Sequence, residues 1–161
     1  MENRRNWNIV EKNTVHRDIN KSQSIGPYEV GIMKNILVAE DEEFNRIFLG
    51  ELLSDTNSKI YWALDGLQAV EYFKKYDFDL ILMDIKMPRL GGIEATRQIR
   101  SMNSDVPIIA QTAFAMEDEE MKYKDQGFND FIKKPINISE FIEKVDYWLN
   151  IKDINNNLRQ F

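Results

Sequence analysis

Five side chains that could bind a cation and a tetrahedral anion stand at the predicted ends of strands in this 161-residue chain. They are Glu40, Asp41, Asp84, Thr112 and Lys134. Three are carboxylates, one is a hydroxyl and one is an ammonium group. A carboxylate next to a divalent ion and a lysine can act as a nucleophile toward an activated phosphoryl group.

Asp84 has the clearest local setting. Four apolar residues, Leu80 to Met83, precede it, and Pro88 follows four positions later. A continuous apolar run of this length indicates a strand buried on both faces, and the proline indicates that regular structure has ended. Asp84 alone could also be a simple loop cap, so its role depends on what the other strands bring to it.

Apolar periodicity predicts an alternation of strands and helices across most of the chain. The predicted strands are 34–39, 59–64, 80–84, 106–111 (with Thr112 at its end) and 128–132, and the predicted helices are 44–53, 67–73, 93–99, 113–126 and 138–149. The helix at 113–126 is acidic at 117–120 and is expected to be exposed and loosely held. Short connections between such elements favour an α/β fold, a doubly wound parallel sheet of the flavodoxin-like type with helices on both faces and strand order 2-1-3-4-5.

In that order the first and third strands are neighbours, so Glu40, Asp41 and Asp84 converge at one edge of the sheet. Their mutual repulsion predicts a small hard cation, and Mg²⁺ suits one or two carboxylates together with phosphoryl oxygens. Lys134 and Thr112 approach the same edge and would hold an anion on Asp84. The residues thus predict phosphoryl transfer to Asp84.

Composition limits the class of protein. The net charge is −6, and residues 34–150 carry 14 basic and 22 acidic side chains, which argues against a nucleic-acid binder. With no cysteine there are no disulfides or thiolate sites. No membrane span or signal peptide is recognisable, so a cytoplasmic location without membrane association is expected.

Three parts of the chain are predicted. Residues 1–33 form a polar arm or linker, 34–150 the single domain, and 151–161 a frayed C-terminal tail. The eleven residues that follow Asn150 are too few for a DNA-binding output module.

Four segments resemble the motifs of response-regulator receiver (CheY-like) domains. They are 36–41 (ILVAED), 82–88 (LMDIKMP), 110–113 (AQTA) and 131–135 (FIKKP). Asn45-Arg46 and Lys134-Pro135-Ile136 are most similar to receivers attached to hybrid histidine kinases.

The resemblance implies roles for particular residues. Asp84 would be phosphorylated, and Mg²⁺ would be bound by Asp41, Asp84, the Lys86 carbonyl and, through water, Glu40. Thr112 and Phe131 would be the switch residues, with Phe131 in a position where tyrosine is common. The Lys134–Pro135 peptide bond is predicted to be cis.

The resemblance also implies partners. The phosphoryl donor would be a histidine kinase or a histidine phosphotransfer protein, and phosphorylation would shift the face formed by the fourth helix, fifth strand and fifth helix. A homodimer, if one forms, is expected through the same face. The protein would be a switch with at most slow autodephosphorylation, either as a stand-alone regulator or as part of a hybrid kinase.

Two other classes of protein are alternatives to a receiver domain. A phosphatase of the haloacid-dehalogenase type would carry a second aspartate two residues after the nucleophile, where this chain has Lys86. A flavodoxin-like FMN binder would need a phosphate loop after the first strand, where residues 40–43 are all acidic.

Overall fold

The domain is built on one parallel sheet of five strands. The structure is a computed structural model that describes residues 33–103, 105–113 and 123–158, with side chains to residue 151. In chain order the elements are β1 (Lys34–Ala39), α1 (Glu43–Leu53), β2 (Ser58–Ala63), α2 (Gly66–Lys75), β3 (Leu80–Asp84), α3 (Gly92–Met102), β4 (Ile108–Thr112), β5 (Asp130–Lys133) and the C-terminal helix (Ile138–Leu158). The expected N-terminal arm before residue 33 and most of the expected fourth helix, 114–122, lie outside the described residues.

The strand order is β2-β1-β3-β4-β5, and every neighbouring pair is parallel. This confirms the predicted 2-1-3-4-5 order. Ile36 is paired with Leu80 and Asp84 with Gln111, so the strands end nearly level at their carboxyl ends. The strand-end side chains consequently share one edge of the sheet.

Both faces of the sheet are covered by helices, as predicted. Leu80 and Leu82 pack with buried residues of α1 and the C-terminal helix, whereas Ile81 and Met83 pack with buried residues of α2 and α3. All five residues of β3 are buried. Each buried leucine or isoleucine contributes about 1.5–3 kcal/mol, so the strand that carries Asp84 is firmly held.

The start of α3 also holds the site strand in place. A Cβ added to Gly92 would lie 2.0 Å from the carbonyl oxygen of Asp84, so only glycine allows this approach. The Gly92 amide donates a hydrogen bond to the carbonyl of Ile85 at 3.0 Å. These contacts join the two ends of the loop between Asp84 and Gly92.

The structure differs from the sequence predictions at several boundaries. The C-terminal helix continues to Leu158, so the expected frayed tail is wrong for residues 151–158. No glycine or proline interrupts this segment, and Ile151, Ile154 and Leu158 continue the three-and-four spacing along the sequence. Smaller shifts place β2 one residue earlier and β5 two residues later at its start than predicted. Within the described residues, no helix is long and apolar enough to span a membrane.

Candidate functional site

The predicted strand-end residues come together at the carboxyl edge of the sheet. Glu40 and Asp41 follow β1, Asp84 ends β3 and Lys134 follows β5. One carboxylate oxygen from each of the three acids lies within 4.8 Å of the others. Glu40 is fully buried and Asp84 is 7% exposed, so this negative charge is concentrated in a partly desolvated place.

Lys134 joins two of these acids. Its Nζ atom donates to Glu40 Oε2 and to Asp84 Oδ2, each at 2.8 Å. The neighbouring Lys133 is exposed, so Lys134 is the lysine of this pair that contacts the acids. The peptide bond between Lys134 and Pro135 is cis, as predicted.

The acidic loop after β1 is held by its own helix. Glu40 Oε1 accepts hydrogen bonds from the Glu42 amide at 3.1 Å and from Asn45 Nδ2 at 3.2 Å. The Arg46 guanidinium donates to the carbonyls of Glu40 and Asp41. The first turn of α1 therefore fixes the position of the Glu40 carboxylate.

Burial and charge shift the pKa values of the central pair. Burial raises the pKa of Asp84, and the nearby Glu40 carboxylate adds to the rise, while the Lys134 ammonium opposes it. Burial alone would lower the pKa of Lys134, but hydrogen bonds and attraction from Asp84 and Glu40 raise it overall. Lys134 therefore stays charged at neutral pH and offsets part of the negative charge around it.

A cleft of about 300 Å³ opens beside Asp84. Its lining residues are Asp84, Ile85, Lys86, Thr112, Ala113, Tyr123 and Lys134. Thr112 is 3% exposed, and its hydroxyl lies 3.1 Å from the hydroxyl of Tyr123. An anion attached to Asp84 would lie in a space that the Lys134 ammonium and the hydroxyl groups of Thr112 and Tyr123 border.

Tyr123 is the site residue that sequence reasoning missed. It falls within the segment expected to form an exposed helix, yet it is only 7% exposed. Its ring packs edge-on against Phe128 and tilted against Phe131, with centroid distances of 6.2 Å in both cases. The acidic residues at 117–120 led to the prediction of an exposed helix. Of the described residues 123–126 in that segment, Tyr123 is the buried one.

Lys86 and Phe131 are the two remaining residues to which the resemblance gives a role. The Lys86 amide donates to Asp84 Oδ1 at 3.1 Å, and its side chain is exposed. Phe131 is half-buried, and the Lys144 ammonium lies 4.7 Å from its ring centroid. Phe131 is thus positioned between the core and the C-terminal helix.

Arg89, in the loop between β3 and α3, is a second residue whose importance the sequence did not reveal. Its backbone has φ = 63°, and its Nε atom donates to Asp65 Oδ2 at 2.6 Å. Asp65 also caps α2 by accepting from the Gln68 amide at 2.9 Å. This ion pair connects the loop that follows Asp84 to the start of α2.

Sequence comparisons agree with this geometry. A family model described as "Response regulator receiver domain" matches residues 36–146. The autoinducer 2 sensor kinase/phosphatase LuxQ of Vibrio vulnificus is 38% identical over 120 residues, covering 71% of this chain but only 14% of LuxQ. The polar-differentiation response regulator DivK of Brucella anthropi is 32% identical over 118 residues, covering 72% of this chain and 96% of DivK.

Solved structures show the same fold. The receiver domain of sensor histidine kinase PA1611 from Pseudomonas aeruginosa, which has a magnesium ion in its active-site cleft, is 32% identical with a TM-score of 0.67, covering 73% of this chain and 98% of that one. The receiver domain of Saccharomyces cerevisiae Ssk1, solved with the histidine phosphotransfer protein Ypd1, is 30% identical with a TM-score of 0.69, covering 74% and 91%. The resemblance predicted from four short motifs is confirmed: the chain belongs to the response regulator receiver domain family of two-component signalling.

Proposed function

We propose that the domain accepts a phosphoryl group on Asp84 from a phosphohistidine of a histidine kinase or a histidine phosphotransfer protein. The observation that carries this proposal is the position of the Asp84 carboxylate. It lies at the mouth of a cleft, 2.8 Å from the Lys134 ammonium and within 4.8 Å of two further carboxylates.

In the transfer step an Asp84 carboxylate oxygen attacks phosphorus with a lone pair and forms an O–P bond. The P–N bond of phosphohistidine breaks, and its electron pair returns to the imidazole nitrogen of the donor. Lys134 already contacts Asp84 Oδ2, so its charge lies close to where the phosphoryl oxygens arrive. Thr112 lines the same cleft and offers a hydroxyl there.

The donor set fits Mg²⁺. Hard oxygen ligands are what this ion prefers, and the carboxylates of Asp41 and Asp84 supply two close together. Both oxygens of Glu40 already accept hydrogen bonds, which suits the contact through water expected for that residue. The Lys86 carbonyl is the fourth expected ligand. When bound, the ion supplies positive charge that neutralises the transferring phosphoryl oxygens.

A protein donor needs a surface beside the cleft, and α1 supplies one. Phe44, Ile47 and Phe48 are 84%, 59% and 40% exposed, at the i, i+3, i+4 spacing that places them on one face. The helix begins two residues after Asp41, so this apolar face starts at the rim of the site. The complex of the Ssk1 receiver with Ypd1 supports a phosphotransfer protein as the partner.

Phosphorylation would be read out through Phe131 and the face around it. Phe131 lies between Tyr123 and Lys144, so a movement of its ring would change contacts with the C-terminal helix. In this proposal Thr112 and Phe131 are the switch residues, and a homodimer, if one forms, uses this face. The domain acts as a switch and needs no substrate turnover.

The first test is phosphorylation by acetyl phosphate with Mg²⁺, read by intact mass. We expect a labile gain of one phosphoryl group in the wild type, no gain in Asp84→Asn, and none when the metal is chelated. Asp77→Asn, which changes an exposed acid before β3, is the matched control and should be phosphorylated normally.

A gain of mass in Asp84→Asn equal to that of the wild type would overturn the assignment of Asp84. Steady hydrolysis of p-nitrophenyl phosphate would instead favour a phosphatase of the haloacid-dehalogenase type.

A further inference from the structure

Two hydroxyl groups are buried together at the edge of the cleft. Thr112 Oγ1 and Tyr123 Oη are 3.1 Å apart, and the two residues are 3% and 7% exposed. Both residues line the same cleft as Asp84 and Lys134. β5 carries Phe131, which has no hydroxyl. The hydroxyl beside Thr112 therefore comes from Tyr123, which precedes β5.

The chemistry of hydroxyl groups gives this pair a direction. A threonine hydroxyl has one proton to donate and can accept two hydrogen bonds. If Tyr123 donates to Thr112 Oγ1, Thr112 accepts that bond and can turn its own proton toward a phosphoryl oxygen on Asp84. Each bond in such a chain polarises the next, which strengthens the final donor.

We propose that Tyr123 is a positioning residue for the phosphoryl group: its phenol donates to Thr112, which in turn donates to a phosphoryl oxygen carried on Asp84. This inference rests on the proposed function of Asp84. It assigns to Tyr123, at the end of the segment before β5, a hydroxyl role that Phe131 cannot fill.

The structure separates this role from simple packing. The Tyr123 ring contacts Phe128 and Phe131, and both contacts involve the ring rather than the hydroxyl. Tyr123→Phe keeps those ring contacts and removes only the oxygen. A packing role would therefore survive this substitution, whereas a role through Thr112 would not.

The experiment measures the affinity for beryllium trifluoride, a mimic of the phosphoryl group, by fluorine nuclear magnetic resonance at fixed Mg²⁺. A lost hydrogen bond of ordinary strength corresponds to a change of about fivefold in affinity. We expect Tyr123→Phe to bind the mimic about fivefold more weakly than the wild type. Tyr147→Phe, which removes a hydroxyl from a residue that is 51% exposed on the C-terminal helix, should bind like the wild type.

Coupling to Thr112 is the decisive readout. In a Thr112→Val background, Tyr123→Phe should have no further effect, whereas in Thr112→Ser, which keeps the hydroxyl, the fivefold loss should return. Equal affinities of wild type and Tyr123→Phe, or a loss that persists undiminished in Thr112→Val, would overturn the role of Tyr123.

Failure of the proposed function looks different. A wild-type domain that does not bind the mimic, or binds it equally well as Asp84→Asn, would remove the basis for both proposals. Thermal unfolding of each variant shows whether it is folded. If Tyr123→Phe does not fold, Thr112→Val is compared with Thr112→Ser. Equal affinity of these two variants for beryllium trifluoride would overturn the proposed hydrogen bonds from Tyr123 through Thr112 to the phosphoryl group.

Discussion

The amide of Gln111 is buried without a hydrogen-bond partner at either end among the described residues. Gln111 lies two residues after Ile109 on β4, so the strand period puts it on the face that Ile109 shares with Ile132 and Phe141. A polar group buried in this way costs about 1–3 kcal/mol. The position next to Thr112 therefore carries a local destabilisation that an apolar side chain would remove.

We predict that Gln111→Leu raises the free energy of unfolding by about 1–3 kcal/mol, measured by urea denaturation. Leucine has a similar volume and brings apolar surface into an apolar cluster. Phosphorylation at Asp84 should be retained, because Gln111, although paired with Asp84 in the sheet, is fully buried and does not line the cleft. Lower stability than the wild type would overturn the assignment of a net cost to the buried amide.

Residues at strand ends could be predicted from sequence, and residues that act through tertiary contacts could not. Asp84 and Lys134 each follow a short apolar strand, so the parallel order alone predicts that they meet. Tyr123 acquires its importance from a neighbour eleven positions earlier in the chain, Thr112, on a different element. Nothing in the local pattern around Tyr123 indicates that contact.

At the scale of elements, the loop between β3 and α3 is attached to the start of α2. Arg89 pairs with Asp65, and the Gly66 amide donates to the Leu90 carbonyl at 3.0 Å. A Cβ on Gly66 would lie 2.4 Å from that carbonyl oxygen. Burial raises the pKa of Asp65, but the Gln68 amide and the Arg89 guanidinium outweigh it and hold that pKa below the ordinary 3.8.

Arg89 has a positive φ, which is unfavourable for a residue other than glycine, and it forms an ion pair with Asp65. Two variants separate the contributions of the φ angle and the ion pair to stability. Arg89→Ala loses the pair and keeps φ = 63°, whereas Arg89→Gly loses the pair but accepts this φ at little cost. We predict that Arg89→Ala is less stable than the wild type by about 1 kcal/mol, since the arginine is largely exposed, and that Arg89→Gly is closer to the wild type. Urea denaturation at neutral pH gives both values.

The pH dependence provides the control for that prediction. Because the folded-state pKa of Asp65 is depressed, its contribution is present above the unfolded value of 3.8 and is lost as the pH falls through the folded value. The stability difference between wild type and Arg89→Ala should therefore shrink on acidification below 3.8. A difference that stays constant with pH would assign the loss to the arginine stem rather than to the ion pair.

The central elements were predictable and the peripheral boundaries were not. The apolar run of β3 predicts a strand that is buried on both faces, as the structure has it. β1 matches its predicted bounds from Lys34 to Ala39. β5 is short and half-exposed, so apolar pattern alone set its start two residues early. The C-terminal helix extends past Asn150, because Ile151, Ile154 and Leu158 continue the apolar spacing and no glycine or proline interrupts the segment.

At the scale of the whole molecule, the acid site couples cation binding to stability. Lys134 brings one positive charge to three clustered carboxylates, which leaves net negative charge in a partly desolvated place. A cation that binds this arrangement in the folded chain and not in the unfolded chain stabilises the fold by mass action. The unfolded chain separates Asp41 and Asp84 by 43 positions and cannot form the same site.

We therefore predict that Mg²⁺ raises the thermal midpoint of the wild type in a concentration-dependent way. At a hundred times its dissociation constant the ion adds about 2.7 kcal/mol, which corresponds to a shift on the order of 10 °C for a domain of this size. Asp41→Asn should lose most of this shift, whereas Asp55→Asn, an exposed acid beyond the other end of α1, should keep it. Sodium chloride at equal ionic strength controls for screening of the negative surface. If Asp41→Asn responded to Mg²⁺ as strongly as the wild type, the stabilising cation would bind at another place on the protein. Lys134 would then be the group that offsets the negative charge of the carboxylates at the sheet edge.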